Sequence, residues 1–232
     1  MRIAAIVPAA GIGRRFGNER KPFIYLGGRP LLVWVLDALQ NAKEIDEIIP
    51  VVREEELLSC ADLVDEYKIT KARSIVPGGR ERQDSVYNAL RSVDSDVSTV
   101  VVHDGVRPFA DTAFISKCIA ALDRDSVDGV IPAVIPKDTI KIIEPGSFLV
   151  SSTFERSLLR AVQTPQVFRA DTLLKAYDYA AAKDIYATDD AALVERMGGR
   201  VKIIEGSYKN IKVTTPEDID IAEMILSRGL QA

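Results

Sequence analysis

From residue 2 to residue 134, short β-rich apolar runs alternate with longer stretches of helical period, each change marked by Gly, Pro or Asp. "RIAAIVP" runs into a glycine loop, and "LLVWVLDALQNA" follows as a helix with Leu32, Val35, Leu36 and Leu39 on one face. "DEIIPVV", "ARSIVP", "STVVVHD" and "DGVIPAVI" read as further strands. "EEELLSCADLVDEY", "RQDSVYNALRSV" and "DTAFISKCIAALDRD" read as the helices between them, the last opened by Asp111 as N-cap. Strands that alternate with helices in this way require a mostly parallel sheet covered by helices on both faces, an α/β fold of Rossmann-like type.

The alternation breaks between Lys137 and Arg156, where β-like runs around Ile140–Ile143 and Phe148–Ser152 are joined by Pro145-Gly146-Ser147. That is a hairpin signal. Ile143, Phe148 and Val150 need cover, so the expectation is one domain over residues 1–232 carrying a β-arm at 137–156 that packs on a second copy of the chain. An antiparallel edge of the same sheet is the alternative. Helices at Asp171–Lys183 and Thr188–Met197, a strand at "RVKIIEG" and a final helix follow. Thr215 as N-cap, Pro216 at the first position and Glu217 and Asp218 in the first turn mark the start of the last helix.

Composition narrows the function classes. A net charge of −4 argues against a protein that coats nucleic acid, although it allows a local basic pocket. Two cysteines, Cys60 and Cys118, and a single histidine indicate neither a disulfide framework nor a zinc site. No run approaches the roughly 20 apolar residues of a spanning helix. The expected location is cytoplasmic, or an organelle for a mature imported form.

The loop "PAAGIGRRFGNERKPF" holds Gly11, Gly13 and Gly17 with Arg14, Arg15 and Lys21. Glycines let backbone N–H groups close on phosphate oxygens, and the basic side chains add charge enough for a triphosphate. No Walker pattern is present. "VVVHDGVRP" places Asp104 just past a buried strand, where an open α/β sheet presents its ligand crevice. A carboxylate facing phosphates there reads as a magnesium ligand, with a turn or cap as the plainer reading. Gly105 allows close approach and Arg107 can hold an anion, whereas His103 reads as structural. In "PGGRERQDSV", Gly78 and Gly79 let backbone lie against a flat base and Ser85 offers a hydroxyl to its edge, while Arg82 can serve structure instead. "QTPQ" holds Thr164; "YATDDAAL" puts Thr188, Asp189 and Asp190 at a helix start, the two Asp equally readable as caps. Lys212 in "NIKVTTPED" reads as a phosphate contact or as a solvated strand end.

"PAAGIGRRFG", "GGRERQDSV", "VHDGVRP", "DTIK", "TPQ", "TDDA" and "NIKVTTPED" occur in the order seen in 2-C-methyl-D-erythritol 4-phosphate cytidylyltransferases, and the sequence resembles that family over nearly its whole length. The resemblance implies a nucleotidyltransferase that joins CTP to a polyol phosphate with release of pyrophosphate, using Mg2+, as a homodimer in isoprenoid precursor synthesis. It implies that Ala9, Ala10, Gly11 and Gly13 line the nucleotide, that Arg15 and Lys21 clamp its phosphates, and that Gly79 and Ser85 read cytosine. Asp104, Gly105 and Arg107 then lie between metal, ribose and acceptor, with Thr164, Thr188 and Lys212 on acceptor or phosphates. Thr139 and Arg156 lie on the arm and reach a neighbour's site. A ribitol 5-phosphate cytidylyltransferase shares the nucleotide machinery and is the alternative; a non-catalytic nucleotide-binding protein is a more distant one.

Overall fold

The structure, a computed structural model, describes residues 2–11 and 23–229. Its centre is a mixed sheet. Strand β1 (Arg2–Pro8) has β4 (Glu47–Val52) parallel on one side and β6 (Val97–Val102) parallel on the other. β5 (Val76–Pro77) continues the sheet beyond β4. On the far side of β6 lies β11 (Gln166–Arg169), antiparallel, and then β7 (Gly129–Val134), which is followed by the parallel strand β12 (Val201–Glu205). β10 (Ala161–Val162) pairs with the carboxyl end of β7.

The period of two in β1 divides the core. Ile3, Ala5 and Val7 face α1 (Leu31–Asn41), α2 (Leu57–Glu66) and α4 (Thr112–Asp125) through Leu32, Leu36, Leu39, Cys60 and Ile115. Ala4 and Ile6 face α3 (Arg82–Leu90), α5 (Ala170–Ala182) and α6 (Asp190–Arg196) through Val86, Ala89, Leu173, Tyr177 and Val194. Each fully buried Leu or Val stabilises by about 1.5–3 kcal/mol relative to exposure. A small hairpin, β2 (Tyr25–Leu26) and β3 (Arg29–Pro30), packs with α7 (Pro216–Ser227) around Leu26, Leu31, Val213 and Ala222.

Local signals act as read. Asp111 accepts from the Phe114 N–H at 2.7 Å, and Thr215 with Asp218 forms a capping box at α7. Two differences have a physical reason. "QVFR" is a central strand that the sequence reading left out, because four residues with polar ends carry too little periodicity. Lys212 is not at a strand end: it lies in the irregular segment between β12 and α7, held there by the bond from Val213 N–H to the Val106 carbonyl at 2.9 Å.

The hairpin β8 (Lys141–Ile143) and β9 (Val150–Thr153) forms its own two-stranded sheet. Phe148 is 98% exposed, and Leu149, Val150, Phe154 and Leu158 are exposed with it. Among the described residues no helix is long and apolar enough to cross a membrane.

Candidate active site

The parallel strands β1, β4, β5 and β6 end on one side of the sheet, and the chain turns from building leftward of β1 to building rightward of it between β4–β5 and β6. Such a switch point opens a crevice at the strands' carboxyl ends. Three loops line it: Ala9–Gly11 after β1, Gly78–Gly79 after β5 and His103–Arg107 after β6. Ala9 is buried and its N–H bonds the Val51 carbonyl at 2.7 Å; Gly11 is exposed with open space around its Cα. A Cβ on Gly78 would stand 2.3 Å from the Ala10 methyl, and one on Gly105 2.9 Å from that of Ala9. The floor is therefore glycine backbone packed on alanine methyl groups. Ser85 is buried and turns its hydroxyl inward, accepting from the Gly79 N–H at 3.1 Å and donating to the Glu81 carbonyl at 3.0 Å. Gly13, Arg15 and Lys21 lie outside the described residues.

Asp104 is the electrostatic centre. Arg82 Nε donates to one carboxylate oxygen at 3.1 Å; Lys212 Nζ stands 2.9 Å and Arg107 Nε 3.4 Å from the other. Burial would raise its pKa, but Arg82, Lys212 and Arg107 outweigh that and hold the carboxyl far below the usual carboxylate range. Arg107 is also anchored by Nη1 to the Asn210 carbonyl at 2.8 Å. Asn210 in turn donates to the Thr164 carbonyl at 2.8 Å, so the Lys212 segment, the Arg107 loop and the Thr164 turn are tied together.

A pocket of about 290 Å³ opens beside this cluster, lined by Arg82, Arg107, Thr164, Gln166, Thr188 and Asp189 among others. Thr164 and Thr188, given to acceptor or phosphates by resemblance, thus share a cavity with Arg107, given to the space between metal, ribose and acceptor. Asp189 caps α6 by accepting from the Ala192 N–H at 3.0 Å and also receives Gln166 Nε2 at 2.9 Å. Of the two Asp readable from sequence as caps, Asp190 is instead fully buried against Arg82. Arg82, Gln163, Gln166 and Asp189 also line this pocket, although the sequence alone gives them no ligand contact. Thr139 and Arg156 meet each other on the arm, Arg156 Nη2 donating to Thr139 Oγ1 at 2.9 Å, and neither lines the pocket.

Asp104 is the residue expected to hold magnesium together with substrate phosphates. Among the described residues no group of three His, Cys, Asp or Glu side chains could hold an ion, and both oxygens of Asp104 are engaged by cations. Among the described residues three carboxylates, Asp104, Asp189 and Asp190, stand with the three cations Arg82, Arg107 and Lys212, so the cations wait at the crevice in ion pairs rather than as excess charge.

His103 is fully buried, with Nδ1 2.7 Å from the Thr164 hydroxyl that also accepts from the Asp104 N–H at 3.0 Å. Burial lowers its pKa from 6.5 to about 4, with Asp104 opposing and Arg107 assisting. The folded pKa lies below the unfolded one, so the unfolded chain binds the extra proton in between. Stability contributed by neutral His103 is present above pH 6.5 and lost as pH falls toward about 4. We expect unfolding free energy to drop by about 1.4 kcal/mol per pH unit within that window. Urea titrations of the wild type and His103→Asn check it: equal pH slopes in the two proteins would contradict the assignment.

With this geometry in place, the chain can be set beside known proteins. Residues 3–228 match the family model described as 2-C-methyl-D-erythritol 4-phosphate cytidylyltransferase. The protein of that name from Geotalea uraniireducens is 42% identical over 97% of both chains, and that from Bacillus mycoides 46% identical over 95% of this chain and 96% of its own. The crystal structure of 4-diphosphocytidyl-2C-methyl-D-erythritol synthase from Anaerococcus prevotii superposes with a TM-score of 0.86 at 36% identity, covering 98% of this chain and 96% of that one. A phosphate-ready crevice at the switch point, a match across almost the whole chain and a shared fold converge on one conclusion: the chain belongs to the 2-C-methyl-D-erythritol 4-phosphate cytidylyltransferase family.

Proposed function

We propose that this enzyme transfers the cytidylyl group of CTP to 2-C-methyl-D-erythritol 4-phosphate, giving 4-diphosphocytidyl-2-C-methyl-D-erythritol and pyrophosphate for isoprenoid precursor synthesis. An oxygen of the acceptor phosphate forms the new bond to the α-phosphorus, and the bond from that phosphorus to its β-bridging oxygen breaks, its electrons leaving with pyrophosphate. Two anions must approach, so the protein's work is to position them and to neutralise the charge that grows on phosphorus and leaving group. The observation that carries this reading is the convergence of Lys212, Arg107 and Arg82 on Asp104 beside a glycine-floored crevice.

Among the described residues Lys212 is the cation free to turn from Asp104 toward the transferring phosphoryl group, since it has a flexible stem and is partly exposed. Arg15 and Lys21 join it in this assignment on the strength of the family resemblance. Ala9, Ala10 and Gly11 form the nucleotide floor, to which the family resemblance adds Gly13, and Gly79, Ser85 and Gly105 its base and ribose side. Asp104, Arg107, Thr164 and Thr188 hold the acceptor. Magnesium enters this reading as a counter-ion carried by the triphosphate itself, since that ion is commonly held by substrate phosphates and water with few protein ligands.

The segment 137–156 serves as a dimerisation arm that delivers Thr139 and Arg156 to the partner's acceptor. Its exposed Phe148, Leu149 and Val150 support that role, because a contiguous apolar surface marks an interaction site. Arg156→Ala is expected to raise the KM for the acceptor by about tenfold while sedimentation still reports a dimer. Unaltered acceptor kinetics would remove Arg156 from the site.

The test of the whole reading is pyrophosphate release from CTP with 2-C-methyl-D-erythritol 4-phosphate, run beside ribitol 5-phosphate and beside UTP. Release confined to the first mixture is the expected result. Turnover preferring ribitol 5-phosphate would keep the chemistry and change the acceptor.

A further inference from the structure

Asp190 is a buried carboxylate that the reaction just described does not use, and it links a core tyrosine to an arginine that lines the site. Its two oxygens receive Arg82 Nη1 at 3.1 Å and Nη2 at 2.8 Å, a two-pronged grip across 108 residues of chain. The Tyr177 hydroxyl closes on the same carboxylate from α5. Arg82 then uses its remaining edge, Nε, on Asp104. One guanidinium plane is thus clamped between two carboxylates from different halves of the chain. Because the fork is rigid, fixing its Nη edge fixes the direction of its Nε–H.

We infer that Asp190 is a positioning residue for the acceptor step: through Arg82 it sets where the Asp104 carboxylate stands, and so where Lys212 and Arg107 wait. The inference rests on the functional reading above. Without Asp190 the Arg82 fork loses its anchor and can swing into the pocket it lines, taking with it one of the three cations that hold Asp104. Tyr177 is the outer brace. It sits in the sheet-facing core of α5 beside Ala176 and Ala180, so its hydroxyl presents Asp190 from a rigid element.

Three single variants, one double variant and two readouts test this. In Asp190→Asn the acceptor KM is expected to rise by about tenfold, while the KM for CTP stays within about twofold, the pattern of a misplaced acceptor group. Arg82→Lys, which cannot span both carboxylates, is expected to do the same. The double variant should be no worse than the poorer single, because Asp190 acts only through Arg82. Additive losses, or an unchanged acceptor KM with a lower Tm, would overturn the inference.

If Asp190→Asn fails to fold, Tyr177→Phe decides, since it leaves the ion pair and removes one hydroxyl. A rise of about threefold in acceptor KM supports the role and no change sinks it. Amide exchange supplies the substrate-free readout. Residues 103–109 are expected to exchange faster in Asp190→Asn, Arg82→Lys or Tyr177→Phe than in the wild type, and unchanged protection in all of them would also refute the coupling. Wild-type silence toward CTP and acceptor would count against the functional reading alone, because the exchange comparison stands without it.

Discussion

Replacing Lys212 by alanine is expected to lower kcat by about a hundredfold or more and to leave thermal stability nearly unchanged. The two effects separate because they draw on different surroundings. In the free enzyme Lys212 is partly exposed, and its ion pair with Asp104 at 2.9 Å is held as well by Arg82 and Arg107. Losing a part-exposed pair costs about 0–1 kcal/mol of stability. In the transition state the same ammonium faces charge spread over the phosphoryl oxygens in a confined crevice, where one lost contact typically costs about 3–4 kcal/mol. Steady-state pyrophosphate release and a melting curve on one preparation measure both. A variant that turns over at the wild-type rate would take Lys212 out of the chemistry.

Asp104→Asn is expected to harm both properties. The substitution removes the carboxylate that Arg82, Arg107 and Lys212 share and leaves Asp190 paired with Arg82, so repulsion among the three cations replaces a balanced cluster. Removing one partner of a buried charge network costs about 3–5 kcal/mol. Turnover should fall by at least about a hundredfold, as Arg82, Arg107 and Lys212 lose the group that spaces them. The pH dependence has a definite sign. Asp104 has a folded pKa below its unfolded value of 3.8, so its contribution is complete above that pH and disappears as the solution is acidified through the folded pKa. The stability gap between wild type and variant should therefore be constant near neutrality and narrow in acid. A gap that widens in acid would contradict the cluster's role.

Much of the architecture is legible in the residues because it is local. The period of two in "RIAAIVP", the apolar face of α1 and the caps at Asp111 and Thr215 each state their element within a few positions. The candidate site is less legible in proportion to chain separation. Asp190 looks like a cap because Asp at a helix start has a sufficient local reason to be there, and its real partner is Arg82 on another helix. Lys212 can be assigned to phosphates from its setting, yet its neighbour Asp104 follows only from the Val213–Val106 bond that draws two loops together. Gln166 tells the same story: its side chain accepts from the Ala191 N–H and donates to Asp189, both beyond α5.

The place of β11 has a consequence for how the chain is assembled during synthesis. β6 and β7 come off the ribosome early but never touch as neighbours, because residues 166–169 lie between them, hydrogen-bonded to both. Until those residues emerge, the nascent sheet has a gap one strand wide, roughly 9–10 Å between the flanking backbones, with two unsatisfied edges facing it. A fragment ending before Gln166 would carry the α1-side layer of α1, α2 and α4 with only α3 on the other face, and still lack the seam that joins the sheet's halves. Completion is therefore a late, non-local event set by the chain's last third, and an incomplete chain would expose inward-facing strand edges prone to capture by other strands.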